Sequence, residues 1–208
     1  MKRAIMFFSK IKRGVLMKKI VTLMALSTFA ALSLNAAEVA EQHEAMEHHH
    51  EKSFYVALKG IATLGDTMSE EHAILDGDAG LGFGVDLGYK LPYGFAVEID
   101  VTYVGNTVTE TNAAAEQEEL SATYMTSSLD LAYKYHLTRE FGLVGKVGYE
   151  YELEQIDTKE DESDTGFIFA AALEYEVAED IAILGEYEHS TIDGPRGDTL
   201  YAGVVFDF

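Results

Sequence analysis

The chain contains no cysteine and only two prolines among its 208 residues. Without cysteine there is no disulfide framework, no thiolate metal site and no cysteine nucleophile. Basic residues are also scarce, because 15 Lys and Arg stand against 36 Asp and Glu and give a formal net charge of −21. Nucleic-acid binding needs clustered Lys and Arg on the phosphates, so this balance argues against a nucleic-acid partner.

Glycine and aromatic residues are plentiful instead, with 18 Gly, 12 Tyr and 11 Phe. This composition favours β-strands. The mean hydropathy of −0.02 would usually indicate a soluble protein. Strands of a membrane barrel are an exception, because each places apolar side chains on one face only and the average conceals them.

The first 36 residues have the pattern of a secretory signal peptide rather than of a fold. The short basic stretch Met17-Lys18-Lys19 precedes an apolar run at 20–34, and Asn35-Ala36-Ala37 offers small residues for cleavage. This run is too short for a spanning helix, so we predict a signal peptide over 1–36, with Met17 as the true start and cleavage near Ala36. A membrane-anchored helix formed by all of 1–36 is the alternative.

Residues 37–52 form a polar tail that is rich in histidine and is predicted to lie in the periplasm. Neutral imidazoles in a flexible run can bind Zn, Ni or Cu ions. The candidate metal ligands are His43, His48, His49 and His50. The alternative is a solvated linker whose histidines bind nothing.

From residue 53 to the end, apolar and polar residues alternate in eight segments. The second segment places Leu81, Phe83, Val85, Leu87 and Tyr89 on one face, opposite Gly82, Gly84, Asp86, Gly88 and Lys90. A helix would spread these residues around its circumference, so the period of two indicates strands.

The connections between these segments alternate in length. Longer connections are predicted at 64–78, 105–119, 155–165 and 191–197, and tight turns at 91–93, 138–140 and 178–180. Long extracellular loops and short periplasmic turns are typical of outer-membrane barrels. We therefore predict an all-β fold for 53–208: an eight-stranded antiparallel up-and-down transmembrane β-barrel.

The last strand ends on an aromatic residue. Its spacing looks like the assembly signal of bacterial outer-membrane barrels, with Tyr201, Gly203, Phe206 and Phe208 as the matching positions. Together with the runs Gly80-Leu81-Gly82-Phe83-Gly84-Val85 and Tyr93-Gly94-Phe95-Ala96-Val97-Glu98, it makes the chain resemble the small outer-membrane proteins with OmpA-type transmembrane domains or OmpX-type barrels. The resemblance implies export to the outer membrane, contact with its lipid and lipopolysaccharide, and insertion by the barrel-assembly machinery, as a monomer.

Charged residues share the polar face of the strands and would face the lumen. Eight strands leave an interior that side chains just fill, and charges enclosed there must be paired or hydrated. The predicted lumen charge network comprises Lys59, Asp86, Glu98, Asp100, Asp130, Lys146, Glu150 and Glu186. Either the charges of this network only neutralise one another inside the lumen, or the excess of acids lines a narrow path that prefers cations.

An enzyme would need a nucleophile next to a base. His189-Ser190, beside Glu188, is the one such pair, but adjacent strand residues point to opposite faces; His72, in the first loop, has no defined partner. We expect no enzyme activity and no cofactor, apart from a divalent cation as a candidate at the histidine tail or the acidic loops. The expected function is envelope integrity and surface interaction; a narrow cation channel is the alternative, and a lipid-A-modifying enzyme is a remote one.

Overall fold

The alternating segments form one closed antiparallel sheet. The structure is a computed structural model that describes residues 53–69, 73–157, 159 and 161–208. The strands are β1 Phe54–Thr63, β2 Thr67–Ser69, β3 Ala73–Gly77, β4 Gly80–Lys90, β5 Phe95–Asn112, β6 Gln117–His136, β7 Phe141–Ile156, β8 Glu162–Ala178, β9 Ile181–Ser190 and β10 Thr199–Asp207. The predicted signal peptide (1–36) and the tail with His43, His48, His49 and His50 lie outside the described residues and stay predictions.

Eight of these strands close the barrel. Neighbouring strands run β1-β4-β5-β6-β7-β8-β9-β10, and β10 pairs back onto β1. Residue Leu58, for example, pairs with Val204 on one side and with Val85 on the other. The predicted eight-stranded antiparallel up-and-down barrel is confirmed. Within the described residues, no helix is long and apolar enough to cross a membrane.

The apolar face of the strands points outward. Leu81 is 76 % exposed, Phe83 64 % and Ile99 51 %, whereas the interleaved Asp86 and Glu98 are 1 % and 3 % exposed. Soluble proteins rarely expose a continuous apolar patch of this extent. The exposed belt therefore fits lipid, and the carboxylates are enclosed.

Aromatic side chains border the belt at both ends. Near the short turns, three aromatic pairs have ring centroids 4.7–4.9 Å apart: Phe54–Tyr89, Phe95–Tyr133 and Phe141–Tyr175. Near the longer connections, the ring centroids lie 5.8 Å apart in Phe83–Tyr103 and 5.3 Å apart in Tyr149–Phe167. Amphipathic rings prefer the membrane–water interface. The two sets therefore mark the periplasmic and extracellular edges of the lipid belt.

The prediction of a loop at 105–119 is wrong for most of that range. Strand β5 continues to Asn112 and β6 resumes at Gln117, so the connection is a tight turn, and β2 and β3 occupy the predicted loop at 64–78. Strand β3 pairs with the end of β5 and extends the sheet. The barrel wall thus continues above the membrane.

The extension holds together because its apolar residues point inward. We call this cluster the apolar cap; its buried members are Leu75, Val108, Leu120, Ala122, Tyr124 and Ile156, with Met68 packed against them. Outside the membrane, lipid no longer surrounds the strands, so burial of apolar side chains inside the wall becomes favourable. The apolar face of the same strands has therefore changed sides.

Candidate functional site

Two lysines cross the middle of the lumen from opposite walls. Lys59 lies on β1 and Lys146 on β7, four strands away around the barrel. The Asp86 carboxylate contacts both ammonium groups, at 2.8 Å from Lys59 and 3.4 Å from Lys146. Glu186 also contacts both, at 3.6 Å and 2.8 Å. These two shared carboxylates tie the opposite walls together.

Further acids complete the mid-barrel network. Lys59 also pairs with Asp100, and Lys146 pairs with Glu98 at 2.6 Å. The Tyr55 hydroxyl donates a hydrogen bond to Glu98 as well. The Asp130 carboxylate accepts a hydrogen bond from the Ser128 hydroxyl at 2.9 Å.

A third cation lies in the upper part of the lumen, on the extracellular side of the two lysines. Arg196 belongs to the β9–β10 connection, but its guanidinium is buried in the lumen. It contacts Glu150 at 2.8 Å through Nη2, and its Nε lies 2.8 Å from Glu152. A guanidinium suits such paired carboxylates because its donors form a fixed planar fork. Predicted network member Glu150 therefore belongs to this upper level rather than to the lysine level.

The loop that carries Arg196 is fixed by the backbone of the β1–β2 connection. Leu64 N–H donates to the Asp198 carbonyl at 2.8 Å, and Gly65 N–H donates to the Arg196 carbonyl at 3.1 Å. Arg196 was not predicted as a site residue, because 191–197 has the composition of an extracellular loop. A signal was present, since β7 brings Glu150, Glu152 and Glu154 to the lumen face and Arg196 is the single cation of that loop.

The residues of the predicted assembly signal have different surroundings in the folded barrel. Tyr201 is buried in the lumen, where its hydroxyl donates to Glu188 at 2.8 Å and its ring centroid lies 4.1 Å from the Lys59 ammonium. Gly203 pairs with Lys59, and Phe206 pairs with Val56. Exposed Phe208 donates its backbone N–H to the Phe54 carbonyl at 2.8 Å.

Carboxylates outnumber cations inside the barrel. Among the described residues, the buried acids are Asp86, Glu98, Asp100, Asp130, Glu150, Glu152, Glu186 and Glu188, and the buried Lys and Arg are Lys59, Lys146 and Arg196. Such a lumen attracts cations, but its own three cations occupy the spaces between the carboxylates at both levels.

The pair His189-Ser190 does not form a catalytic arrangement. His189 Nδ1 lies 2.7 Å from Asp198, whereas the Ser190 hydroxyl donates to Glu150 at 3.0 Å on the lumen side. Glu188 accepts the hydrogen bond from Tyr201. His72 lies outside the described residues. Within the part of the chain that the structure describes, no group of three or more His, Asp or Glu residues could hold a metal ion.

A family model described as an outer membrane protein beta-barrel domain matches residues 26–208. The chain belongs to this family. It therefore lies in the outer membrane, in agreement with the prediction, and the exposed apolar belt contacts the membrane lipid.

Solved structures share this fold at low sequence identity. OprG from Pseudomonas aeruginosa has a TM-score of 0.61 and 14 % identity, over 76 % of this chain and 97 % of that one. Neisserial surface protein A has a TM-score of 0.55 and 14 % identity, over 74 % of this chain and 97 % of that one. Ail of Yersinia pestis has a TM-score of 0.51 and 15 % identity, over 76 % of this chain and 99 % of that one. No curated protein sequence matches the chain. These likenesses show the fold alone.

Removal of a lumen lysine tests the mid-barrel network. Lys146→Met leaves Asp86, Glu98 and Glu186 short of a counter-charge in an enclosed space, so the free energy of unfolding should fall by about 3–5 kcal/mol. Urea unfolding in phospholipid vesicles, followed by the gel-mobility shift of the folded barrel, measures this change.

Two controls accompany this measurement. Arg139→Met removes a cation from an exposed turn and should change stability little. Adding Glu98→Gln to Lys146→Met removes one uncompensated carboxylate and should recover part of the loss. Equal small effects of Lys146→Met and Arg139→Met would show that the lumen network contributes nothing to stability.

Proposed function

We propose that the protein is a non-enzymatic outer-membrane barrel that supports envelope integrity and surface interaction and does not conduct. The single observation that carries this proposal is the filled lumen. Ion pairs cross it at the lysine level, Arg196 occupies its upper part, and the apolar cap lies in the wall extension above. A protein built to transport solutes would need a continuous open path, whereas a filled barrel is a rigid support for its extracellular part.

A narrow channel that prefers cations is the second candidate function. The excess of buried carboxylates over buried cations favours it, because acidic linings select cations. Against it, each of the three lumen cations bridges at least two carboxylates. A passing ion would have to displace them.

The absence of enzyme activity is supported by the separate partners of His189, Ser190 and Glu188. Each side chain is engaged with a different group, and His189 and Ser190 lie on opposite faces of β9. The arrangement lacks the hydrogen bond between nucleophile and base that lipid-A hydrolysis would need.

The proposed partners are lipopolysaccharide in the outer leaflet and the barrel-assembly machinery during insertion. The exposed aromatic and aliphatic belt supports lipid contact. The exposed, backbone-paired Phe208 at the β1–β10 seam supports a role of the last strand in closing the barrel. The proposed state is a monomer.

Planar-bilayer recording tests the proposal against the channel alternative. The wild-type protein should show no sustained conductance, because paired cations and carboxylates fill the lumen. Incorporation of folded protein must be checked on the same sample by the mobility shift of unboiled protein. Conductance steps with cation preference would overturn the non-conducting function and favour the channel.

Envelope integrity has its own test in cells. Deletion of the gene should increase uptake of a hydrophobic dye and sensitivity to detergent, since a rigid barrel seals its share of the outer membrane. Wild-type protein should restore the barrier, and the destabilised Lys146→Met variant should restore it less. An unchanged barrier in the deletion strain would contradict this role.

A further inference from the structure

Above the membrane, the two faces of the barrel wall carry different polar groups. The outward positions of β5, β6 and β8 carry hydroxyls, which we call the hydroxyl belt: Thr107, Thr109, Thr111, Ser121, Thr123, Ser163 and Thr165. Their orientation follows from the register. Exposed Tyr103 pairs with exposed Met125, and every second residue beyond them stays on the same face.

The inward positions of the same strand segments carry acids. Glu110 pairs with Glu118 across β5 and β6, Glu154 pairs with Glu162 across β7 and β8, and Asp164 pairs with Glu152, which is buried in the lumen. On β8 the order Glu162, Ser163, Asp164, Thr165 alternates strictly between the two kinds. Most carboxylates of these strand segments thus occupy inward positions, and the hydroxyls of the belt occupy outward positions.

Water on both faces would not produce this sorting, because carboxylates and hydroxyls are both well hydrated. The sorting fits an outer neighbour that hydrogen-bonds with hydroxyls and offers few partners to carboxylates. Two outward acids, Asp76 and Glu119, lie on this face as exceptions, and Asp76 accepts a hydrogen bond from the Thr67 hydroxyl at 2.7 Å. None of the described outward positions of these strand segments carries Lys or Arg, so anionic phosphates find no counter-charge there.

The belt continues the lipid-contacting surface upward. Thr107 lies four residues beyond Tyr103 of the extracellular aromatic set, about 13 Å along the strand. At this height the neighbour of an outer-membrane protein is the sugar headgroup region of the outer-leaflet glycolipid. Sugar hydroxyls can exchange hydrogen bonds with Thr and Ser hydroxyls, whereas outward carboxylates would repel the phosphates nearby.

We propose that the hydroxyl belt binds the uncharged sugar hydroxyls of the core oligosaccharide of the outer-leaflet glycolipid. This inference rests on the proposed envelope function and deepens it by naming the contact. The bound groups are sugars rather than lipid-A phosphates, because the described outward positions of these strand segments carry no Lys or Arg to pair with a phosphate. The acids on the inner face remain directed away from the anionic leaflet.

The test replaces three hydroxyls without changing side-chain shape. The triple variant Thr107→Val, Thr109→Val and Thr111→Val retains β-branched residues that suit a strand. Wild type and variant are folded into phospholipid vesicles that contain lipopolysaccharide with a complete core, lipid A alone or no glycolipid. In the core-containing vesicles, the variant should unfold about fivefold faster or more than the wild type, since several hydrogen bonds are lost. In the other two vesicle types, the rates should match.

The matched control is Thr126→Val. Thr126 lies on β6, but it faces the lumen, where its hydroxyl is 2.7 Å from that of Thr102. Its loss should speed unfolding equally in all three vesicle types. Belt-variant rates that match the wild type everywhere, or that rise equally in every vesicle, would overturn the proposal, and so would a rise already present with lipid A alone.

A second variant tests the sorting of charge. Thr109→Glu together with Glu110→Thr keeps the composition and the net charge. It moves a carboxylate to the outer face of β5 and a hydroxyl to the inner face. Position 109 pairs with Asp76 and with Glu119, so the new carboxylate is repelled by both in every vesicle type. The double variant should therefore unfold faster than Glu110→Thr alone by a larger factor in the core-containing vesicles than in the other two types. The single variant Glu110→Thr accounts for the ion pair between Glu110 and Lys159 at 3.1 Å. The same factor between the two variants in all three vesicle types would show that the glycolipid does not disfavour an outward carboxylate. Failure of these tests leaves the filled lumen and the conductance test unaffected, so the two proposals fail separately.

Discussion

Lipid around a closed sheet determines where the charges of this chain can lie. In the hydrocarbon region every backbone donor and acceptor must be paired, and only a closed barrel achieves this with strands. An ionised side chain on the outer face would have to enter the acyl chains, so the carboxylates of the spanning segments are inside. Lys59 and Lys146 are then required, because enclosed carboxylates without counter-charges would oppose folding. The ion pairs that cross the lumen follow from the same constraint.

The same constraint explains why the spanning part could be predicted from sequence. Val97, Ile99 and Val101 alternate with Glu98 and Asp100, and the lipid requires that pattern in each strand that crosses it. Strand count and turn positions followed from this repetition. The periodicity alone would also fit a soluble lipocalin-like or sandwich protein with an apolar core. The signal sequence, the terminal Phe208 and the alternating loop lengths favoured the membrane.

The extracellular extension could not be predicted by the same reading, for a physical reason. Above the aromatic set near Tyr103, lipid ends, and Val104, Val108 and Leu120 point inward while Thr107 and Thr109 point outward. The apolar face changes sides within one continuous strand. A strand prediction that requires apolar residues at every second position therefore ends where the strand leaves the membrane. Arg196 escaped prediction because it reaches the lumen from a loop, and loop residues have no period that assigns them a face. Its partners Glu150 and Glu152 were visible in sequence, but their position relative to the loop depends on the closed barrel.

Adjacent residues of β10 provide the most direct measurement of the central claim that lipid lies outside and charge inside. The chain has no tryptophan, so Ala202→Trp and Tyr201→Trp each introduce a single tryptophan, which can be excited selectively at about 295 nm, at an exposed and at a lumen position respectively. In vesicles of lipid brominated along the acyl chains, the tryptophan at position 202 should be strongly quenched and that at position 201 much less. Stronger quenching at position 201 would place the carboxylate-bearing face against lipid and contradict the closed barrel described above.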